Sequence, residues 1–201
     1  MPKVILTLND ELFQEFAGYA SQEGMEVDEF LSREIQQRAA QLLPAAPKAW
    51  MPREQWDALV RGEQCPLCAE ISSQEPVNQH GYTVADLGMS RLRLAINQFV
   101  PGYCVLICRR HVQELYHLTL EERSRYVEDL VRTAQALEEV FQPLKMNFQF
   151  LGNAVPHLHC HIIPRFYGDA APGSPLDPNT DTSLLSVQTY EERVNLLRAV
   201  L

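Results

Sequence analysis

The sequence predicts an α+β protein in which several strands surround one long helix, with a small strand-helix-helix segment in front. Two observations indicate this fold. Short alternating patterns bounded by turn residues recur after residue 80, and a long helical pattern runs from Thr119 to Pro143. Near the start, a strand pattern at residues 3–8 is followed by two shorter helical patterns.

Residues 1–44 form the predicted strand-helix-helix segment. Gly24 ends the first helix, and Asp28 is expected to cap the second at its N-terminus. One strand and two short helices are too few to form a stable core alone, so a partner chain is implied. The predicted apolar faces of the helices consist of Leu12, Phe13, Phe16, Ala17 and Ala20, then Leu31, Ile35, Ala39 and Leu42.

This segment resembles the ribbon-helix-helix family, in which two chains pair their strands and the outer face of the ribbon enters the DNA major groove. Alternation places Lys3, Ile5 and Thr7 on that outer face, and only Lys3 is basic. Acidic residues outnumber basic ones in the segment, and the formal charge of the chain is −9. This balance opposes binding to a polyanion. We therefore interpret residues 1–44 as a dimerisation segment, and expect a homodimer that does not bind DNA.

The composition, 46% hydrophobic and 21% charged, is that of a globular chain. The longest uncharged stretch near the middle, residues 94–108, is too short and too interrupted by polar residues to cross a bilayer. No secretion signal is recognisable at the start, so a cytoplasmic location without membrane contact is expected. Five cysteines, an odd number, favour free thiols or metal ligands over a disulfide framework.

Residues 45–62 are a predicted proline-rich linker with a short helical run around 55–60, and residues 63–201 are the predicted main domain. Thr119 and Glu122 form a capping box at the start of the long helix. Strands are predicted at 81–87, 92–97, 103–108, 148–151 and 157–163. The predicted apolar face of the long helix consists of Val127, Leu130, Val131, Ala134 and Phe141.

Three of the six histidines alternate with apolar residues at positions 157, 159 and 161. In a strand they share one face. An ordinary edge strand explains this concentration poorly. A single metal bound by all three is also disfavoured, because His157 and His161 would lie about 13 Å apart in a regular strand. The three histidines are therefore expected to have different roles.

Residues 157–163 match the motif His-φ-His-φ-His-φ-φ, with φ apolar, at every position. The chain resembles the histidine-triad superfamily here, and the resemblance extends from about residue 65 to 169. It implies an antiparallel sheet and a nucleotide hydrolase or transferase that acts at an α-phosphate. By the same resemblance, His159 is the nucleophile, and His161 hydrogen-bonds the phosphate or the leaving oxygen. The substrate-binding residues that it implies are Asn97, Gly152, Asn153, Ala154 and Val155.

Two positions depart from the pattern of many family members. Tyr103 follows Pro-Gly where a histidine is common, and Asn153-Ala154 stands where Gln-Ser or Gln-Thr is common. Ala154 lacks the hydroxyl of the usual residue, and Asn153 reaches one methylene less far. A different leaving-group preference is expected.

Cys65 and Cys68 form a Cys-x-x-Cys motif, which serves zinc or redox chemistry. The βαβ surroundings of a thioredoxin-like site are missing around it. Within the resemblance, such cysteines join His111 and His157 in a closed structural zinc site. The alternative is two small buried thiols and an unrelated surface histidine.

The sequence thus predicts a dimeric enzyme with a nucleotide substrate and one structural zinc. The alternative within enzymes is a phosphorylase or a sugar-phosphate nucleotidyltransferase. Its first half-reaction would be the same as that of the hydrolase, so the sequence does not identify the acceptor of the nucleotidyl group. An alternative of another class is a DNA-binding regulator whose main domain senses a nucleotide.

Overall fold

The computed structural model describes residues 8–42, 50–177 and 182–201, and the chain forms two compact units, Met1–Trp50 and Met51–Leu201. The first unit contains α1 (Asp10–Gln22) and α2 (Val27–Leu42). Apart from Leu8, the predicted strand at residues 3–8 lies outside the described residues. Strand pairing and dimerisation through this segment therefore remain predictions.

Among the residues of the first unit whose burial is described, one apolar residue is buried in each helix. These residues are Ala20 on α1 and Phe30 on α2. The rings of Phe16 and Phe30 lie 6.5 Å apart between centroids. Gly24 adopts a left-handed backbone, with φ at +69°, where the chain leaves α1. The expected capping role of Asp28 is wrong, because α2 begins at Val27 and Asp28 lies in its first turn. An acidic side chain there still opposes the positive end of the helix dipole.

The second unit is built on a six-stranded antiparallel sheet, which confirms the predicted α+β fold class. The strand order is β1-β2-β3-β4-β6-β5, so β6 lies between β4 and the edge strand β5. The strands are β1 (Val77–Asn78), β2 (Gly81–Asp86), β3 (Ser90–Ala95), β4 (Cys104–Cys108), β5 (Lys145–Gln149) and β6 (His159–Arg165).

Four α-helices and a short 3-10 helix accompany the sheet within the described residues. The first of them lies in the predicted linker and belongs to the second unit. The second and the last of these α-helices were not predicted from the sequence. The helices are α3 (Arg53–Val60), α4 (Pro66–Ser72), the 3-10 helix Leu115–His117, α5 (Leu120–Phe141) and α6 (Val187–Val200).

The long helix α5 begins with the predicted capping box, since Thr119 and Glu122 each accept a backbone hydrogen bond from the other. Its predicted apolar face is buried only in part: Leu130 and Phe141 pack against the core, whereas Val127 and Val131 are each 44% exposed. The buried face includes polar groups with tertiary partners. A search for apolar residues at helical spacing therefore does not identify this face. Asp129, for example, accepts a hydrogen bond from the Ser90 hydroxyl at 2.7 Å. The buried residues of α5 are Tyr126, Asp129, Thr133, Ala136 and Leu137.

The two faces of the sheet have different coverings. On one face, Leu106 and Cys160 pack in a core with residues of α5 and α6. As predicted, Cys104 and Cys108 share that face and Cys160 points away from the histidines. The opposite face has a smaller core that includes Tyr103 and Ile163. Because side chains alternate along β6, His159 and His161 lie on the same face as Ile163.

Within the described residues, no helix is both long and apolar enough to span a bilayer.

Candidate active site and metal centre

Strand β6 places two of the three motif histidines side by side. His159 pairs with Ile107 and His161 with Val105 on β4, and their ring centroids lie 5.0 Å apart. The expectation that all three histidines share one strand face is wrong for His157, because β6 begins at His159. His157 precedes the strand and is completely buried. The backbone adopts strand geometry only from His159 onward, so His157 has a different position from the two strand histidines.

The His159 ring is held by the backbone of the motif itself. Its Nδ1 lies 2.6 Å from the carbonyl oxygen of His157. A carbonyl oxygen can only accept, so Nδ1 carries the proton and donates it. Burial lowers the pKa of His159, which favours the neutral ring. The neutral His159 therefore has its free electron pair on Nε2.

His161 is bound from the neighbouring strand end. The Tyr103 hydroxyl lies 2.6 Å from Nδ1 of His161, and the two rings are nearly parallel at 19°. Burial, and secondarily the neighbouring His159, lowers the pKa of His161 to about 4. Sequence reasoning noted Tyr103 only as a departure from the family pattern. Its contact with His161 depends on the pairing of β4 with β6, which the local pattern does not reveal.

A small cavity of about 40 Å³ lies beside His159, between residues 113–115 and 150–152. Gly152 lines it with φ at +71°, a backbone conformation that glycine adopts without strain. The neighbouring Asn153 and Ala154 are exposed, and Val155 is half-buried. These residues thus lie on the loop that leads into the histidine motif.

Asn97, the first of the predicted substrate-binding residues, lies just after β3. Its Oδ1 accepts a hydrogen bond from the Ser183 amide at 2.9 Å. The next residue, Gln98, donates its backbone amide to the Ser183 carbonyl at 2.8 Å. The structure therefore places Asn97 against the segment that precedes α6.

The four predicted metal ligands, Cys65, Cys68, His111 and His157, come together in one cluster. Their candidate ligand atoms all lie within 4.8 Å of one another. Nδ1 of His157 lies 3.4 Å from Sγ of Cys65 and 3.5 Å from Sγ of Cys68. Nδ1 of His111 lies 3.2 Å from Sγ of Cys68 and 3.2 Å from Nδ1 of His157. The chain thus presents two sulfur and two nitrogen atoms to one point.

The other nitrogen of each cluster histidine fixes which way these rings face. Nε2 of His157 lies 2.8 Å from the Cys108 carbonyl oxygen, and Nε2 of His111 lies 3.1 Å from the Val60 carbonyl oxygen. Both Nε2 atoms must therefore donate protons, so in the neutral rings both Nδ1 atoms present free electron pairs to each other. Burial supports the neutral form by lowering the pKa of His157 to about 4. A cation placed between the two facing electron pairs would be attracted by both of them.

The spacing fits a tetrahedral cation. Bonds of about 2.05 Å to nitrogen and 2.3 Å to sulfur give tetrahedral edges of about 3.3 Å between nitrogens and about 3.6 Å between nitrogen and sulfur. The four distances given above agree with these edges to within about 0.4 Å, and the two remaining atom pairs lie within 4.8 Å. The backbone carbonyls that hold the Nε2 atoms are the outer partners that metal-binding histidines usually have. The donor set and its surroundings therefore fit a metal ion.

Helix α4 supplies both cysteines. Cys65 is its N-terminal cap residue, and Pro66 occupies the first helical position, where a missing N–H costs nothing. Glu70, on the same helix, forms a buried ion pair with Arg93 on β3. Arg91 donates to the carbonyl oxygens of Glu70 and Ser73 at 2.6 and 2.8 Å. Sequence reasoning missed these residues, although two arginines alternating within a strand of apolar residues are a signal for buried partners.

An antiparallel sheet with a histidine pair beside a glycine loop, and a Cys₂His₂ cluster near the end of β4 and the start of β6, defines a recognisable class of α+β protein. The chain belongs to the histidine-triad family: residues 79–168 match the HIT domain. It is 31% identical over 112 residues to Protein hit of Bacillus subtilis, covering 52% of this chain and 72% of that protein. A histidine triad protein of Bradyrhizobium japonicum has the same fold, with a TM-score of 0.58, 25% identity, and coverage of 64% of this chain and 96% of that one.

A further relative has a named activity. The chain is 32% identical over 79 residues to the asymmetrical bis(5'-nucleosyl)-tetraphosphatase of Schizosaccharomyces pombe. The match covers 37% of this chain and 43% of that enzyme. The family of this chain therefore includes a nucleotide hydrolase.

Proposed function

We propose that the protein is a nucleotide hydrolase or nucleotidyltransferase that cleaves a dinucleoside polyphosphate, or a related nucleotide, at its α-phosphate through a nucleotidyl-histidine. The observation that most supports this proposal is the hydrogen bond from Nδ1 of His159 to the His157 carbonyl. It leaves the free electron pair on Nε2 of His159, which lines the small cavity beside the glycine loop. The named activity of the fission yeast relative agrees with this substrate class.

In the first step, the electron pair on Nε2 of His159 forms a bond to the α-phosphorus. The bond from phosphorus to the leaving oxygen breaks, and its electron pair leaves with that oxygen. The ring gains a positive charge, which the carbonyl of His157 stabilises through the proton on Nδ1. His161 lies on the same face and can donate a hydrogen bond to a phosphate oxygen.

In the second step, the oxygen of a water molecule bonds to phosphorus. The bond between phosphorus and Nε2 breaks, its electron pair returns to His159, and a proton of the water is released to solvent. Inorganic phosphate or a sugar phosphate would replace water in a phosphorylase or transferase. The first half-reaction would be identical, so His159 has the same role in each case.

Turnover measurements on a panel of dinucleoside polyphosphates, nucleotide sugars and nucleoside phosphoramidates test this proposal. Each substrate is assayed with and without added phosphate, which separates hydrolysis from phosphorolysis. A labelled nucleotide should become attached to the wild-type protein in an acid-labile bond, and fail to attach when His159 is replaced. Turnover of these substrates without any attached nucleotide would contradict the covalent route.

We also propose that the four-residue cluster holds one structural zinc ion. Two thiolates and two neutral imidazoles match the preference of zinc for sulfur and nitrogen in a closed tetrahedral site. Such an ion contributes to folding and leaves no open position for substrate. It would connect α4 to the residues that lead into β6.

A homodimer remains the proposed assembly. In the second unit, Val127 and Val131 on α5 are exposed, and the edge strand β5 exposes Phe148. In the first unit, Leu12, Phe13 and Ile35 are 42%, 45% and 47% exposed. Apolar surfaces and an open strand edge of this kind favour burial against a second copy of the chain.

A further inference from the structure

Tyr103 is held rigidly at the start of β4. Gly102 precedes it with φ at +81°, and a Cβ there would lie 2.6 Å from the Phe141 ring. The carbonyl oxygen of Tyr103 accepts hydrogen bonds from the Ala95 amide at 3.1 Å and from Nε2 of Gln98 at 2.9 Å. These contacts fix the backbone from which the phenol extends.

The Tyr103 ring is equally constrained. It is 5% exposed and belongs to the smaller core, which also includes Ile163 and against which Val105 and Leu176 pack. Phe99 contacts it edge to face, with 4.9 Å between centroids. Burial raises the pKa of Tyr103, so the hydroxyl keeps its proton at neutral pH. The molecule thus presents a fixed, neutral hydroxyl at 2.6 Å from Nδ1 of His161.

Two proton arrangements fit this contact. If His161 carried its proton on Nδ1, it would donate to the phenol oxygen, and the buried O–H of Tyr103 would need another acceptor. Among the hydrogen bonds between described residues, the phenol has His161 as its partner. A buried hydroxyl without an acceptor is costly. The arrangement in which Tyr103 donates to Nδ1 satisfies both groups, and it leaves the proton of the neutral ring on Nε2.

The two histidines of β6 would then have opposite protonation on the same ring atom. His159 donates from Nδ1 to the backbone and has a free electron pair on Nε2. His161 accepts at Nδ1 and has a proton on Nε2. The first suits attack on phosphorus, and the second suits donation to a negatively charged phosphate oxygen.

We propose that Tyr103 is a positioning residue that holds the proton of His161 on Nε2 and thereby makes His161 a hydrogen-bond donor toward the substrate phosphate. This inference rests on the proposed function, because it assigns to His161 the role of hydrogen-bond donor in that reaction. The phenol does not touch the substrate. It acts through the ring it contacts.

Nitrogen spectroscopy tests the proposal without any substrate. Two-bond proton-nitrogen correlation spectra of protein labelled with ¹⁵N-histidine show which ring nitrogen bears the proton, and a His161→Gln variant assigns the signals. We expect His161 of the wild type to be protonated on Nε2, and Tyr103→Phe to shift it to a mixture of both forms. Tyr126→Phe is the matched control, since it removes a buried phenol whose hydroxyl donates to the Leu106 carbonyl on β4 at 3.1 Å. It should leave His161 unchanged.

Kinetics give a second readout. Tyr103→Phe should lower kcat about tenfold with little change in KM, and Tyr126→Phe should do neither. A wild-type His161 protonated on Nδ1 would overturn the proposal, even if Tyr103→Phe failed to fold. An unchanged tautomer and an unchanged kcat in Tyr103→Phe would also overturn it. Absence of turnover in the wild type would contradict the proposed function, while the spectra would still decide the role of Tyr103.

Discussion

Arg93 on β3 and Glu70 on α4 form an ion pair in which the two side chains are only 3% and 7% exposed. Glu70 lies two residues after Cys68, so the pair joins the central sheet to the helix that supplies both cysteines of the metal cluster. Arg93 also donates to Thr83 Oγ1 at 2.9 Å and Asn78 Oδ1 at 2.8 Å. The position of the cluster cysteines therefore depends on a buried charge pair.

Replacing Arg93 by methionine leaves Glu70 buried without its countercharge. Removing one partner of a buried pair costs about 3 to 5 kcal/mol. We expect Arg93→Met to lower the free energy of unfolding by this amount, and to weaken zinc binding because α4 loses its anchor. Chemical denaturation and competition with a chelator measure the two effects.

Arg125→Met is the matched control for that substitution. Its ion pair with Glu121 has side-chain exposures of 66% and 76%. An exposed pair contributes at most about 1 kcal/mol, so both quantities should stay near the wild type. If Arg93→Met lost stability but kept full zinc affinity, the ion pair would not position the cysteines.

The zinc proposal predicts one tightly held ion per chain. Cys65→Ser should abolish stoichiometric zinc and lower the free energy of unfolding by more than about 3 kcal/mol, because metal binding contributes to folding. Elemental analysis and thermal unfolding of the same preparations measure both effects.

Cys104→Ala serves as the control for the loss of a thiol. Cys104 is completely buried on β4, outside the cluster, so its replacement should reduce stability through a cavity and retain the zinc. Wild-type protein purified without chelators and found free of zinc would refute the metal site.

The histidine motif shows how much of the site the sequence could predict. Alternation placed His159 and His161 on one strand face, because that rule depends only on local backbone geometry. It failed at His157, where tertiary partners decide the path of the chain: Nε2 bonds to the Cys108 carbonyl and Nδ1 faces the cysteines. The spacing of Cys65 and Cys68 indicated a zinc or redox motif, whereas the assignment of His111 and His157 to the same site came from the family resemblance.

The fold shows the same division. The capping box of α5 was readable, since Thr119 and Glu122 interact within one helical turn. The buried face of α5 was not readable from the sequence. Asp129 is stabilised in its buried position by a hydrogen bond from Ser90, which lies far away in sequence. Similarly, nothing in the local pattern of β3 revealed that Arg93 would meet Glu70.

The covalent mechanism predicts a large effect for one substitution. His159→Ala removes the nucleophile, so kcat should fall by about a thousandfold or more while the fold is retained. Steady-state turnover and circular dichroism measure these outcomes. His117→Ala, which alters an exposed histidine on the 3-10 helix, should retain wild-type turnover. Near wild-type rates in His159→Ala would contradict nucleophilic catalysis by this residue.

The last prediction concerns the segment that resembles a ribbon-helix-helix element. Its predicted strand has the apolar stripe Val4, Leu6 and Leu8, and a strand with such a stripe is stabilised by pairing with its copy in a second chain. A charge placed in the stripe would have to be buried, so Leu6→Asp should weaken dimerisation through this segment. Lys3→Gln, on the expected outer face, should leave it unchanged. Light scattering over a range of protein concentrations measures the dissociation of both variants.

Deletion of residues 1–44 separates this interface from any formed by the second unit. A truncated chain with a weaker dimer, or a monomer, supports the dimerisation role. The same oligomeric mass, thermal stability and activity as the full chain would refute it. A titration with duplex DNA at low salt, where electrostatic binding is strongest, distinguishes the remaining alternative. Full-length protein that bound DNA there, and lost the affinity on truncation, would favour a DNA-binding regulator despite the acidic charge balance.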